Sequence, residues 1–310
     1  MQKIIVIGAK GMLGQELVSV FGKDKEFEVI AWDKKEIDIT DEKEAKKKIT
    51  EVKPDVILNA AAYNAVDKCE EDKEAFQEAK KLNSLAPGYL AKVAKKIDAV
   101  LVQYSTDYVF NGEPEIPEPE GCNHSCESCG LHDGFAPQVG FNEEAETSPI
   151  SKYGKTKADG EKSVAKNTEK YYIIRLSKLF GRPGSSKGSK RSFFDLMLEQ
   201  GRNKKEVKVV DEEVSCFTYA PDLAKKTKEM IEAKKAFGIY HVVNETPVTW
   251  YEATQELYKL AKIKTRIIPI FSGDLKRPAK RPFYSALINT KLNPMRDWKE
   301  ALKEYLKSIK

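Results

Sequence analysis

The order of apolar and polar positions divides the chain early. Short apolar runs rich in β-branched residues occur at 3–8 (KIIVIG), 28–32, 55–62, 99–105 and 171–177. Each is apolar at successive positions, as a strand covered by helices on both faces must be. Between them, residues 12–21, 41–52, 73–96 and 151–166 carry the longer period of amphipathic helices. Strand and helix alternating in this way predict a Rossmann-type α/β fold, a doubly wound parallel sheet with right-handed crossovers. Beyond residue 182 the pattern loosens into helices at 191–200, 221–233, 249–262 and 297–308 and strands at 207–211, 238–244 and 266–270. We therefore expect a dinucleotide-binding domain over 1–180, interrupted by an insertion at about 113–146. A smaller, discontinuous substrate-binding domain is expected over 181–310, with segments near 214–244 returning to the first.

Composition narrows the class of protein. Of 310 residues 33% are charged and 41% hydrophobic, enough apolar content for a real core. The net charge of +5 is spread over lysines mixed with glutamates. Without clustering or interleaved aromatics this is a solvated surface, which excludes nucleic acid as a partner. No run approaches the length of a membrane span, and the opening apolar run reads as a buried strand. Cys69 and Cys216 stand singly in ordinary segments, as buried thiols of a reducing, cytoplasmic chain would.

Two constellations carry chemistry. Gly8, Gly11 and Gly14 follow the first strand and open a helix at Met12 and Leu13. Such a turn lets backbone approach a pyrophosphate, and the helix start adds unpaired N–H groups and partial positive charge. Asp33 ends the next strand, nineteen residues past Gly14, where a carboxylate takes the hydroxyls of an adenosine ribose. It favours NAD, while Lys34 and Lys35 soften the preference, so NAD and NADP both stay open. The second constellation is Tyr153 and Lys157, four apart on one helix face, with Thr106 at the carboxyl end of the fourth strand. An ammonium near a phenol lowers a pKa otherwise near ~10, and the threonine hydroxyl can share the same substrate oxygen.

Residues 122–132 (CNHSCESCGLH) bring Cys122, His124, Cys126, Cys129 and His132 together. A C-x2-C pair is a usual half-site, and four ligands drawn from these five would make a structural zinc site that ties a Pro-rich loop. An iron–sulfur cluster has only three local cysteines to draw on, and free thiols are the third reading. Reduction by a Tyr–Lys pair needs no metal, so the cluster is expected to shape or lid the substrate cleft.

The glycine turn, STDYVF (105–110) and YGKTKADGE (153–161) together resemble the extended short-chain dehydrogenase/reductases, and within them the dTDP-4-dehydrorhamnose reductase subgroup. NAAAYNAVDKCE (59–70), Asn83 and RPFYSAL (281–287) add to the likeness, which spans nearly the whole chain. The resemblance implies NAD(P)H-dependent reduction of the 4-keto group of a nucleotide-linked deoxysugar. Hydride goes to the carbonyl carbon, Tyr153 protonates the oxygen, Thr106 polarises the carbonyl and Lys157 holds the nicotinamide ribose. It also implies that Asp38, Ile39, Ala61, Ala62, Tyr63 and Tyr104 line the cofactor and that Asp107 lies beside the sugar. Lys178 stands in the substrate region where the subgroup has an aromatic, the 211–218 segment is altered, and 46 residues separate Thr106 from Tyr153. An altered substrate pocket is the expectation. Two alternatives remain: another sugar-nucleotide epimerase or dehydratase, and a non-catalytic regulatory subunit that binds nicotinamide nucleotide. Oligomeric state is left open, a homodimer included.

Overall fold

In a computed structural model, which describes residues 1–114, 139–186 and 189–309, strand β1 (Gln2–Ile7) lies between β2 (Phe27–Trp32) and β3 (Val56–Asn59). Beyond β3 the sheet continues with β4 (Val100–Thr106), β5 (Tyr171–Leu176) and the strand Gly238–His241, all six parallel. The order reverses between β1 and β3. In open α/β sheets a ligand crevice forms at such a point, outside the carboxyl ends of the strands.

Side chains of a strand alternate between faces, so β1 feeds two cores. Ile4 and Val6 pack with Leu13, Leu17 and Phe21 of helix α1 (Met12–Gly22) and with Leu223 and Met230 of the helix Ala220–Glu232. Ile5 and Ile7 pack on the other face with Ile49 of α2 (Glu42–Val52) and Leu90 and Ala94 of the helix Ala86–Ile97. Asp41 starts α2 by accepting from the N–H groups of Lys43 and Glu44.

Two of the predicted elements that differ bear on the site. The strand expected over 55–62 pairs only as far as Asn59, after which the chain leaves the sheet edge and runs to a short helix, Lys68–Glu71. The single helix expected over 73–96 is α-helical at Lys73–Ala79, widens to a π-helix at Lys80–Leu85 and resumes as Ala86–Ile97. Pro87 explains the widening. It has no N–H for the carbonyl four residues back, which is that of Asn83, and its ring would clash there. The released Asn83 carbonyl lies against Gly160, where an added Cβ would come within 2.1 Å of it.

The remaining elements build a second core around Phe180, Phe194, Phe217, Trp298 and Tyr305. It gathers helices Phe193–Asn203, Trp250–Ala261 and Trp298–Ser308 with the parallel pair Glu206–Val210 and Arg266–Ile270. From within this stretch Ala220–Glu232 packs on α1 and Gly238–His241 pairs with β5, so the chain crosses between the two cores more than once. By the same topology rule the ligand crevice is expected where the two cores meet at the carboxyl edge of the sheet. Among the described residues no helix is long and apolar enough to cross a membrane.

Candidate active site

The glycine turn has the form a dinucleotide needs. Gly8 adopts φ +78°, and a Cβ there would lie 2.8 Å from the Ala61 nitrogen. A Cβ at Gly14 would lie 2.0 Å from the Gly8 carbonyl oxygen, so only glycine lets α1 start this close to β1. Gly11 caps α1 without a side-chain hydrogen bond, and no acidic residue occupies the first turn. Its leading N–H groups and positive dipole end are therefore available to a phosphate. Asp33 closes the turn from the β2 side, accepting from the backbone N–H of Lys10 at 3.0 Å and of Lys34 at 2.8 Å. These residues fit a bound dinucleotide. Leu13, Ile39 and Tyr104 turn their side chains into the cores, so only their backbone can face a cofactor. Asp38 is exposed and holds the Thr40 hydroxyl and N–H, which keep its carboxyl below the usual range.

From the end of β3 the chain is pinned by Asn83. Its side chain accepts from the Tyr63 N–H at 2.9 Å and donates to the Tyr63 carbonyl at 3.0 Å and the Thr156 hydroxyl at 3.1 Å. The π-widened turn thereby ties the loop after β3 to the Tyr153 helix (Lys152–Asn167), which Ser151 caps through the Gly154 N–H. Gly154 in turn lies close under the Tyr108 carbonyl. The loop then presents Asn64, whose side-chain oxygen accepts from the Tyr153 hydroxyl at 3.2 Å. Sequence reasoning did not single out Asn64, because nothing in its local pattern marks it.

Tyr153 is buried and meets Tyr108 edge to face at 5.8 Å between ring centres. Burial, then the Asp107 charge and Tyr108, push its phenol well above the ordinary value, and the Thr106 hydroxyl pulls back against them. The Lys157 amine instead donates to the Tyr104 carbonyl at 2.6 Å and is pushed down to about 8 by burial, partly opposed by Glu161. Lys157, expected to lower the Tyr153 phenol, is not among the leading influences on it. The two share a helix face, but the lysine reaches to β4 and burial governs the tyrosine. Behind them a fully buried ion pair sets the helix against the sheet: Arg175 gives Glu161 hydrogen bonds of 3.1 and 2.7 Å, and Ser105 donates to the same carboxylate.

On the substrate side Asp107 is occupied by the protein. It is 2% exposed and accepts from the hydroxyls of Thr106 (3.0 Å), Ser177 (2.8 Å) and Ser285 (2.7 Å), and burial raises its pKa. It joins the ends of β4 and β5 to the 281–287 segment; all three of these bonds are to the protein's own hydroxyls. Lys178 sits at φ +35°, with its amine 3.7 Å from the centre of the Trp250 ring and 3.4 Å from the Glu213 carbonyl. Burial pushes it down to about 7. Glu213 is the hub of this wall, accepting from Trp250 Nε1 at 3.0 Å, the Ser272 hydroxyl at 2.6 Å and Arg277. Cys69 and Cys216 are free and buried, as expected. Cys122, His124, Cys126, Cys129 and His132 lie outside the described residues. Among the described residues no three His, Cys, Asp or Glu side chains are grouped to hold a metal.

A glycine turn closed by Asp33, with Tyr153 and Lys157 on one helix at the carboxyl edge of a doubly wound sheet, has the form of a dinucleotide-binding oxidoreductase. The family model described as RmlD substrate binding domain matches residues 1–310, and the chain belongs to that family. It is 31% identical to the spore coat polysaccharide biosynthesis protein SpsK of Bacillus subtilis, over 99% of this chain and 97% of that one. It is 32% identical to a dTDP-4-dehydrorhamnose reductase of Streptomyces griseus, over 97% and 91%. Among solved structures, a dTDP-4-dehydrorhamnose reductase from Clostridium acetobutylicum superimposes with TM-score 0.85 at 36% identity, covering 99% of each chain. One from Bacillus anthracis, in complex with NADP, gives TM-score 0.85 at 27% identity over 99% and 100%.

Proposed function

We propose that the chain reduces the 4-keto group of a nucleotide-linked deoxysugar with NADPH or NADH, as its resemblance to dTDP-4-dehydrorhamnose reductases implies. The observation that carries the reading is the Tyr153 phenol, buried beside Thr106 at the carboxyl edge of β4 and held in its protonated form. A group that must give a proton to a developing alkoxide has to hold that proton beforehand. Gly8, Gly11, Gly14 and Asp33 bind the cofactor, with backbone from Met12, Leu13 and the Ala61–Tyr63 segment. The nicotinamide, when bound, supplies the hydride to the carbonyl carbon. Tyr153 protonates the carbonyl oxygen, and the Thr106 hydroxyl, with its proton bonded to Asp107, stands beside that oxygen and steadies the phenol. Lys157, fixed on the Tyr104 carbonyl, places its charge at the base of the site and orients the ribose. Lys178 and Trp250 form a wall that faces oxygen substituents of the sugar, with the amine fully charged only below about pH 7.

The decisive experiment is NADPH and NADH oxidation followed by absorbance against a panel of 4-keto nucleotide sugars. Turnover of at least one supports the reading. Tight cofactor binding with no turnover of any would replace it with a regulatory, nucleotide-binding role. We also propose from ligand chemistry that four of Cys122, His124, Cys126, Cys129 and His132 hold a structural zinc. Metal analysis of the purified protein should find about one zinc per chain, and its absence would remove the assignment. The buried free thiols accord with a cytoplasmic location.

A further inference from the structure

We propose that Lys190, Arg281 and the Tyr108 hydroxyl form the subsite for the diphosphate of the sugar nucleotide, with Arg277 as its outer guanidinium. The proposal rests on the reductase reading for the identity of the ligand, and on geometry for the place. Asn64 is the ruler. Its side-chain oxygen accepts from Tyr153, and its backbone carbonyl accepts from the Lys190 amine at 3.2 Å. The proton donor and the lysine therefore flank a single residue. In a pyranose the C4 carbonyl and the C1 carbon that bears the diphosphate stand at opposite ends of the ring. A sugar with its carbonyl on Tyr153 must therefore present its first phosphate about one ring away, the span that Asn64 marks out.

Charge at this place is in surplus. Arg281 is clamped by Asp67 through two hydrogen bonds of 2.8 and 2.7 Å, and Arg277 is paired with Glu213. Lys190 is left as a third cation for these two carboxylates. Partial loss of solvent and then the Arg281 charge hold the Lys190 amine below its ordinary value, opposed by Asp67. Burial raises the Tyr108 phenol, Arg281 and Arg277 pull it down against Asp107 and Glu213, and its ring meets Tyr153 edge to face. Among the described residues the Tyr108 hydroxyl, the Arg281 Nε and two of the Lys190 donor positions have no hydrogen-bond partner. A dianion between Lys190 and Arg281 would relieve their repulsion and take up these donors. A guanidinium already oriented by a carboxylate loses little freedom on binding phosphate. The cofactor's own pyrophosphate is accounted for at the Gly8–Gly14 turn.

Isothermal titration of the full chain with thymidine diphosphate, inorganic pyrophosphate and thymidine tests this without turnover. The diphosphate should bind about tenfold or more tighter than thymidine, with pyrophosphate competing for it. Lys190→Met should weaken the diphosphate by about tenfold and leave NADPH affinity within about twofold. Because Arg281→Gln strands Asp67, it is paired with the double variant Asp67→Asn/Arg281→Gln, which should show the same loss while remaining folded by circular dichroism. Unchanged diphosphate affinity in these variants would overturn the subsite. Loss of NADPH affinity in Lys190→Met would also overturn it, by giving that cation to the cofactor. If diphosphate binding depends on Lys190 and Arg281 but no keto sugar is reduced, the subsite stands and the reductase reading falls.

Discussion

The two sides of the cleft are built by different means. On the cofactor side the working parts are mostly backbone, three glycines and a helix start, with one carboxylate that takes N–H groups. Each lies within a few residues of a strand end, and the sheet fixes them all. On the substrate side they are side chains brought from far apart, with Asp107 holding Ser177 and Ser285 and Glu213 holding Trp250, Ser272 and Arg277. Backbone cradles admit one solution and tolerate no Cβ. Side-chain networks can be rewired by a single residue, and Lys178 on Trp250 is such a residue. The difference suits an enzyme whose cofactor chemistry is fixed while its substrate varies.

Breaking the rigid side should have the largest effect. Gly14→Ala sets a Cβ 2.0 Å from the Gly8 carbonyl, and we expect NADPH binding to be lost in titration calorimetry. Glu161→Ala leaves Arg175 buried without its partner and should cost about 3–5 kcal/mol in urea denaturation, since an unpaired buried charge keeps its full desolvation penalty.

Much of the sheet side was legible in the sequence because its signals are local. The strand runs, the GxxGxxG spacing and the placing of Asp33 are rules about neighbours. Two local misreadings have local causes as well. Pro87 opened the helix at Asn83, and β3 ends at Asn59, whose side chain turns to Gln103 and the Ala61 N–H. Long-range pairings were not legible. Asn64 with Tyr153, Arg281 with Asp67 and Glu161 with Arg175 join residues from 14 to 214 positions apart, and no spacing rule reports them. Lys157 shows the limit most clearly. The i,i+4 spacing put it on the face of Tyr153, but the strand carbonyl it meets belongs to another element.

The pH dependence separates the two sides further. Burial lowers Lys157 to about 8. Its ammonium is therefore full below that value and is lost as pH rises through it. Turnover at saturating cofactor should fall up to about tenfold per pH unit above 8, while diphosphate affinity should not follow that curve. A smaller effect is expected from Lys178→Met on the pliable side. It removes the amine over Trp250, worth about 0.5–2 kcal/mol, so KM for the sugar should rise a few-fold while NADPH affinity stays unchanged. Equal losses of both in this variant would mean the two sides are not separable.

The central claim is that Tyr153 gives the proton in a reaction for which the rest of the cleft only positions the reactants. It is tested most directly by Tyr153→Phe, with NADPH oxidation against a reducible 4-keto nucleotide sugar and NADPH titration performed on the same preparation. The substitution keeps the ring against Tyr108 and removes only the hydroxyl that meets Asn64. We predict that turnover falls by about a hundredfold or more while NADPH affinity is preserved. Turnover within a few-fold of the parent protein would contradict the assignment.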